Sequence, residues 1–279
     1  MAGVLTGFLA WCLAYVLLET GRPFPVDLGG WMAYAGDGVF LLVGLIASVA
    51  ALYVTTPGAL RRDVKILLLL LLLALLTQIP TRALLYLTND MPLSMVLFLM
   101  PLALGPLLAT ILVGSGAGAA LGLWTTYTAA IFADRNFTVM AIGLVATGVA
   151  ACLGRDVRKR SRVFKIGLTI GLSSIYVVVA LAAVSPGLPK TLLAEAAACL
   201  LNGLLTAVIV LLILPLLEAV FGITTDITLL ELSDLGHPLL QRLAMEAPGP
   251  YQHSLVVANL AQAAADAIHA NASLAGVCW

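Results

Sequence analysis

The amino-acid sequence predicts an all-α fold: a polytopic membrane helix bundle of about eight spans, followed by a cytoplasmic helical tail. Three observations carry that expectation. The 279-residue chain is 62% hydrophobic and 10% charged, with a mean hydropathy of +1.09, against roughly 45–50% apolar and about 25% charged in soluble domains. Its apolar residues fall in long runs with short polar punctuation, near the length of about 20 residues that a spanning helix needs. After Phe221 the runs stop and charges recur at Asp226, Glu231, Asp234, Arg242, Glu246 and Asp266. The 14 Lys and Arg balance 14 Asp and Glu, which leaves composition no argument for nucleic-acid binding.

The spans are placed at 2–18, 38–56, 65–80, 93–113, 116–133, 138–154, 163–184 and 194–218. The first is a retained segment and not a leader peptide. No basic residue precedes it, and Glu19-Thr20-Gly21-Arg22-Pro23 is a poor cleavage site. Ile66 to Leu76 is almost pure leucine and defines the third. Pro101 and Pro106 break or kink the fourth, and neighbouring helices re-satisfy the carbonyls so freed. Gly114, Gly116 and Gly118 mark the join to the fifth and permit close helix approach. The sixth is short enough to be re-entrant instead. Cys12, Cys152, Cys199 and Cys278 form no C-x-x-C, so neither a disulfide framework nor a thiolate site is expected.

Basic residues set the orientation. Arg61, Arg62, Lys65, Arg155, Arg158, Lys159, Arg160, Arg162 and Lys165 fall on one side of an eight-span arrangement, and Arg22, Arg82, Arg135 and Lys190 on the other. Positive charge favours the cytoplasm, so both the N-terminus and the tail are expected inside. The Arg155–Arg162 cluster is read first as a topology signal, ahead of lipid recognition. Within the spans, Asn202 beside Gly203 is expected to bridge helices. Glu218 is expected to make an interfacial contact, and Glu195 lies near the outer edge.

In the tail, Thr228-Leu229-Leu230-Glu231 fits a capping box. A short helix follows over 238–245, and Pro248-Gly249-Pro250 stops it. A longer helix over 251–269 places Gln252, Asn259, Gln262, Asp266 and His269 on a wet stripe. His253, Val256, Val257, Leu260 and Ala264 fall on the apolar face. His253 is therefore expected to point into a core. Taken alone, a histidine so placed is more often a hydrogen-bonded core residue than a metal ligand. His237, before Pro238, reads as a junction residue.

Residues 214–271, LPLLEAVFGITTDITLLELSDLGHPLLQRLAMEAPGPYQHSLVVANLAQAAADAIHAN, change that weighting. With LPLLE, FGITTD, LLELSD, HPLL, EAPG and HSLVVANLA in this order, the stretch resembles the membrane-to-cytoplasm junction of one bacterial family. These are the seven-transmembrane receptors with an intracellular HD hydrolase domain, the PgpH-type cyclic-di-AMP phosphodiesterase group. The resemblance implies three parts: residues 1–37 as a first helix and short outer loop, 38–220 as a seven-helix membrane region, and 221–279 as a linker with the start of an all-α HD domain. It implies a bacterial plasma-membrane enzyme that hydrolyses a cyclic dinucleotide to a linear one, its bundle regulating the cytoplasmic domain, and it leaves room for a homodimer.

It also implies a cofactor, two divalent transition-metal ions, Mn or Fe, for which imidazole and carboxylate ligands suit. Such a pair about 3.5–4 Å apart activates water for displacement at phosphorus. His253 matches the first metal-ligand position, and no catalytic or nucleotide-binding residue is assigned. By the family's spacing the next ligands, a His-Asp pair, fall beyond Trp279, so the chain reads as truncated and inactive alone. Departures from the pattern are Gln252, Gln262 and His269, and the short 19–37 segment where the family carries an outer sensor domain. A multi-span transporter and a non-catalytic membrane receptor are the competing readings.

Overall fold

A computed structural model describes residues 2–19, 28–55, 64–87, 96, 98–155, 157–184, 191–232, 238–268 and 270–278. All regular structure among them is helical. In chain order the helices are α1 (Ala2–Glu19), α2 (Leu28–Thr55), α3 (Val64–Leu87), α4 (Leu104–Leu112), α5 (Ser115–Phe132), α6 (Phe137–Leu153), α7 (Arg160–Val184) and α8 (Leu192–Phe221). Four more lie in the tail: α9 (Asp226–Leu232), α10 (Pro238–Glu246), α11 (Pro248–Ala267) and α12 (Ala272–Val277). The chain divides into two compact units. One comprises Met1–Asp156 and Ser161–Gly222, the other Val157–Arg160 and Ile223–Trp279.

Among the described residues, four helices are long and apolar enough to cross a membrane: Ala35–Thr55, Val64–Leu87, Arg160–Val184 and Leu192–Phe221. Large apolar side chains remain on the outside of the bundle, with Leu212 78%, Val54 77% and Tyr176 76% exposed. Such a surface is tolerable only against lipid. The protein is a multi-pass membrane protein. Eight helices occupy the eight expected places, but a count of eight full spans is not reached. The nine residues of α4 extend only about 14 Å at 1.5 Å per residue, under half of the roughly 30 Å hydrocarbon layer.

The break expected in the fourth segment lies at Met100–Ala103, which is not α-helical. Its backbone is handled from across the bundle. The Asn202 amide on α8 donates to the carbonyls of Phe98 at 3.0 Å and Met100 at 2.7 Å. Side chains bury the break as well. Phe98 packs with Ile142, Val177, Val178 and Cys199, and Met100 and Leu102 with Ala129, Ala130, Ala133 and Val139. Irregular backbone at membrane depth is tolerated only when enclosed in protein in this way.

The third segment does not end at residue 80. Helix α3 continues through Pro80 to Leu87; neighbouring helices and hydroxyls make an intramembrane proline tolerable. Thr77 and Thr81 donate to the Leu73 and Thr77 carbonyls, both at 2.6 Å.

Helix α5 is the hub, packing on α2, α3, α4 and α6. Its contact with α6 is reciprocal. Gly122 leaves room for Thr147, and Gly143 for Thr126. The Thr126 and Thr147 hydroxyls approach to 3.5 Å. Between α7 and α8 the backbones themselves touch: a Cβ on Gly203 would fall on the Gly167 carbonyl and 2.7 Å from the Gly171 nitrogen. That is the small-xxx-small solution to packing where lipid offers no hydrophobic drive. Arg135, in the α5–α6 connection, pairs with the buried Asp37 at 2.6 Å and lies over the Phe40 ring at 5.1 Å. Glu195 is buried and accepts from Thr191 at 2.9 Å.

Asn202→Leu keeps the volume and removes both donors. We expect a loss of about 1–3 kcal/mol, taking membrane hydrogen bonds at about 0.6–1.7 kcal/mol each, read as a lower melting temperature in detergent. An unshifted melt would mean that the two carbonyls find other partners.

Candidate functional site

The cytoplasmic expectations fall on the second unit. Helix α8 ends at Gly222, whose φ of 64° is the left-handed conformation that closes a helix, with its N–H on the Glu218 carbonyl. Helix α9 then begins two residues before the expected capping box. The Leu229 amide bonds the Thr225 carbonyl at 3.0 Å, so Thr228 lies inside the helix, and Asp226 occupies the first turn, where the dipole favours an acid. Thr228 is therefore not the residue that opens the helix.

Helix α10 ends at Glu246, and only Ala247 separates it from α11. Pro248 and Pro250, expected as a stop, instead open α11. A proline at the first helical positions forfeits no internal bond and has φ already set. Arg242 and Glu246 form an exposed i,i+4 pair at 2.7 Å, the kind that contributes little.

Helix α12 is capped by Asn271, which accepts from the Leu274 amide at 3.0 Å. It packs on α11 and α9. On α11, Tyr251, Leu255, Ala258 and Gln262 are half-buried and Ala265 is buried. A Cβ at Gly276 would lie 2.7 Å from Gln262 Cδ. Gln262, expected wet, is thus a packing residue, whereas Gln252, Asn259 and Asp266 are exposed as expected.

His253 is exposed, and so are Val256 at 53%, Leu260 at 66% and Ala264, while Val257 is half-buried. The apolar stripe is where periodicity put it, but the inward orientation of His253 does not hold within this chain. Periodicity identifies an apolar face, not its cover. Here α12 packs on α11 beside the Gln262 side chain.

Among the described residues, no three His, Cys, Asp or Glu side chains converge on a point that could hold a metal ion. The described part of the chain does not by itself fit a divalent centre, and His253 stands as one imidazole. His237 and His269 lie outside the described residues. The Asn271 cap and the Gly276–Gln262 contact were missed from sequence; an Asn ahead of Ala272-Ser273-Leu274 was the available signal.

The family described as a 7TM receptor with intracellular HD hydrolase matches residues 31–225. That is well over half of the chain. The chain belongs to this family. Across the 7TM receptor–HD hydrolase family, it is similar to the cyclic-di-AMP phosphodiesterase PgpH of Listeria monocytogenes serotype 1/2a (strain 10403S), 28% identical over 88% of this chain and 34% of that protein. The protein of the same name from Bacillus subtilis (strain 168) is 29% identical over 64% of this chain and 26% of its own. An uncharacterized protein of Synechocystis sp. is 35% identical over 45% of this chain and 16% of its own. The chain therefore spans about a third or less of the length of these relatives. No solved structure matches.

Since the His253 stripe is uncovered here, Leu260→Gln should change the protection of α12 amides against hydrogen exchange by less than about 0.5 kcal/mol. Ala265→Leu, against α12, should lower it by about 1–3 kcal/mol. Equal effects would mean that α12 does not depend on this face.

Proposed function

We propose that the chain is the membrane region and first cytoplasmic helices of a membrane-anchored, metal-dependent phosphodiesterase of the HD type. On this reading it hydrolyses cyclic di-AMP to a linear dinucleotide. The observation that carries the proposal is the match to a protein named cyclic-di-AMP phosphodiesterase along 88% of this chain. Residues 1–37 and 38–220 then form the membrane part, and 221–279 the start of the hydrolase. On an eight-span count nine basic residues fall on one side, which supports placing both the N-terminus and the second unit in the cytoplasm of a bacterium, across its plasma membrane.

His253 is assigned as one ligand of the divalent ions, Mn or Fe, which when bound supply an activated water at phosphorus. What supports this is its surroundings. An imidazole flanked by the uncovered apolar residues Val256 and Leu260 is what a helix facing the interior of a larger helical domain presents. The other ligands are assigned to sequence outside this chain, so that the chain alone does not hydrolyse the nucleotide. Here the protein's own contribution is to hold His253 on a long helix whose opposite flank is fixed by α12.

In the full-length polypeptide, His253→Ala should lower bound metal by about one ion per chain and hydrolysis by more than about 100-fold. Metal analysis and nucleotide turnover check this, with Gln252→Ala as the exposed control on the same helix. Unchanged metal content in His253→Ala would remove the ligand assignment.

A further inference from the structure

Six of the eleven residues from Arg155 to Lys165 are basic, Asp156 is the one acid among them, and the next acid along the chain is Glu195. A positive segment of this kind steers insertion. That role ends once the helix is in place, and it asks nothing of where the side chains then lie. Helix α7 gives two of them a definite place. Its buried side is made by Val163, Ile166, Gly167 and Ile170, with Gly167 against the Gly203 backbone of α8. The rest of its circumference is open: Arg162, Phe164, Lys165, Leu168 and Leu172 are all exposed.

Phe164, Leu168 and Leu172 form a lipid-facing stripe, and Arg162 and Lys165 stand one turn apart at its end. From Arg162 to Leu172 is ten positions, about 15 Å of helix, or one leaflet of a hydrocarbon layer roughly 30 Å deep. Among the described residues neither cationic side chain makes an ion pair or a hydrogen bond. Long basic side chains so placed lay their stems on apolar surface and lift their charged heads to the headgroup level.

We propose that Arg162 and Lys165 bind the headgroup of an anionic phospholipid, whose acyl chains lie along Phe164, Leu168 and Leu172. Basic groups beside a spanning helix attract anionic lipid. Two cations with no paired carboxylate repel the amine of a zwitterionic headgroup, and so select against it. A soluble phosphate compound would meet the two charges and leave the apolar stripe unused. The site needs only the membrane unit, so its failure leaves the phosphodiesterase reading untouched.

The full chain in detergent is given equal amounts of phosphatidylglycerol and phosphatidylcholine with the same acyl chains, and native mass spectrometry reads the first lipid retained. Phosphatidylglycerol should be preferred by about tenfold or more. Arg162→Gln combined with Lys165→Gln should bring the preference to within about twofold of parity. Lys165→Gln alone should at least halve it, which serves if the double variant does not insert. Arg61→Gln combined with Arg62→Gln removes the same charge elsewhere and should leave the preference as it was. Excess glycerol 3-phosphate should not displace the lipid. Equal retention of the two lipids overturns the proposal, and so does a preference that survives in the Arg162 and Lys165 variants. An equal loss in the Arg61 and Arg62 control, the mark of diffuse charge, overturns it too, as does displacement by glycerol 3-phosphate, the mark of a soluble ligand.

Discussion

Backbone carbonyls released inside hydrocarbon must find donors in the protein, because lipid supplies none. Those of Phe98 and Met100 both accept from one side-chain amide, Asn202, and the Met100 carbonyl accepts from the Leu102 N–H as well. Much of the membrane unit is arranged around that fact. Asn202 and Gly203 are adjacent on α8 and point in directions about 100° apart. One serves the break and the other admits α7. The rotation of α8 is therefore fixed twice within two residues, by hydrogen bonds on one side and by backbone contact on the next.

The rest of the bundle follows the same economy of polar groups. Thr77, Thr81, Thr110 and Ser174 return their hydroxyl protons to carbonyls one turn back on their own helices, which makes a polar residue compatible with lipid depth. Gln78, with no such local option, reaches Thr128 on α5 at 3.2 Å. Because α5 is narrow along its Gly and Ala positions, four other helices approach it closely, and specificity comes from interlocking small shapes such as Gly122 with Thr147. Dispersion and fit do here what the hydrophobic effect does in water.

How much of this could be read beforehand depends on whether the signal was local. Pro101 announced the break, and an Asn beside a Gly in an apolar run announced the bridge, because each residue has few other reasons to be there. The third segment was ended too early at residue 80, since α3 runs on through Pro80 to Leu87. The Gly167-x-x-x-Gly171 pair was written in the sequence but means nothing until Gly203 is seen against it. In the tail, the true start of α9 at Asp226 competes with an equally good pattern two residues on. Prolines 248 and 250 read equally as an end and as a beginning. For His253, the stripe was legible and its cover was not, because a helix with small residues on one flank and large ones on another has two faces able to pack.

Helix α8 carries one more consequence. Its two carboxylates, Glu195 and Glu218, are 23 positions apart, about 34 Å along a straight helix, less whatever Pro215 bends away. That separation is close to the roughly 30 Å depth of an average hydrocarbon layer. The helix thus works as a ruler laid across the bilayer, with an acid marking each end. A thicker or thinner membrane cannot suit both marks at once, and the strain falls on the tilt of the segment that leads directly to the Gly222 exit.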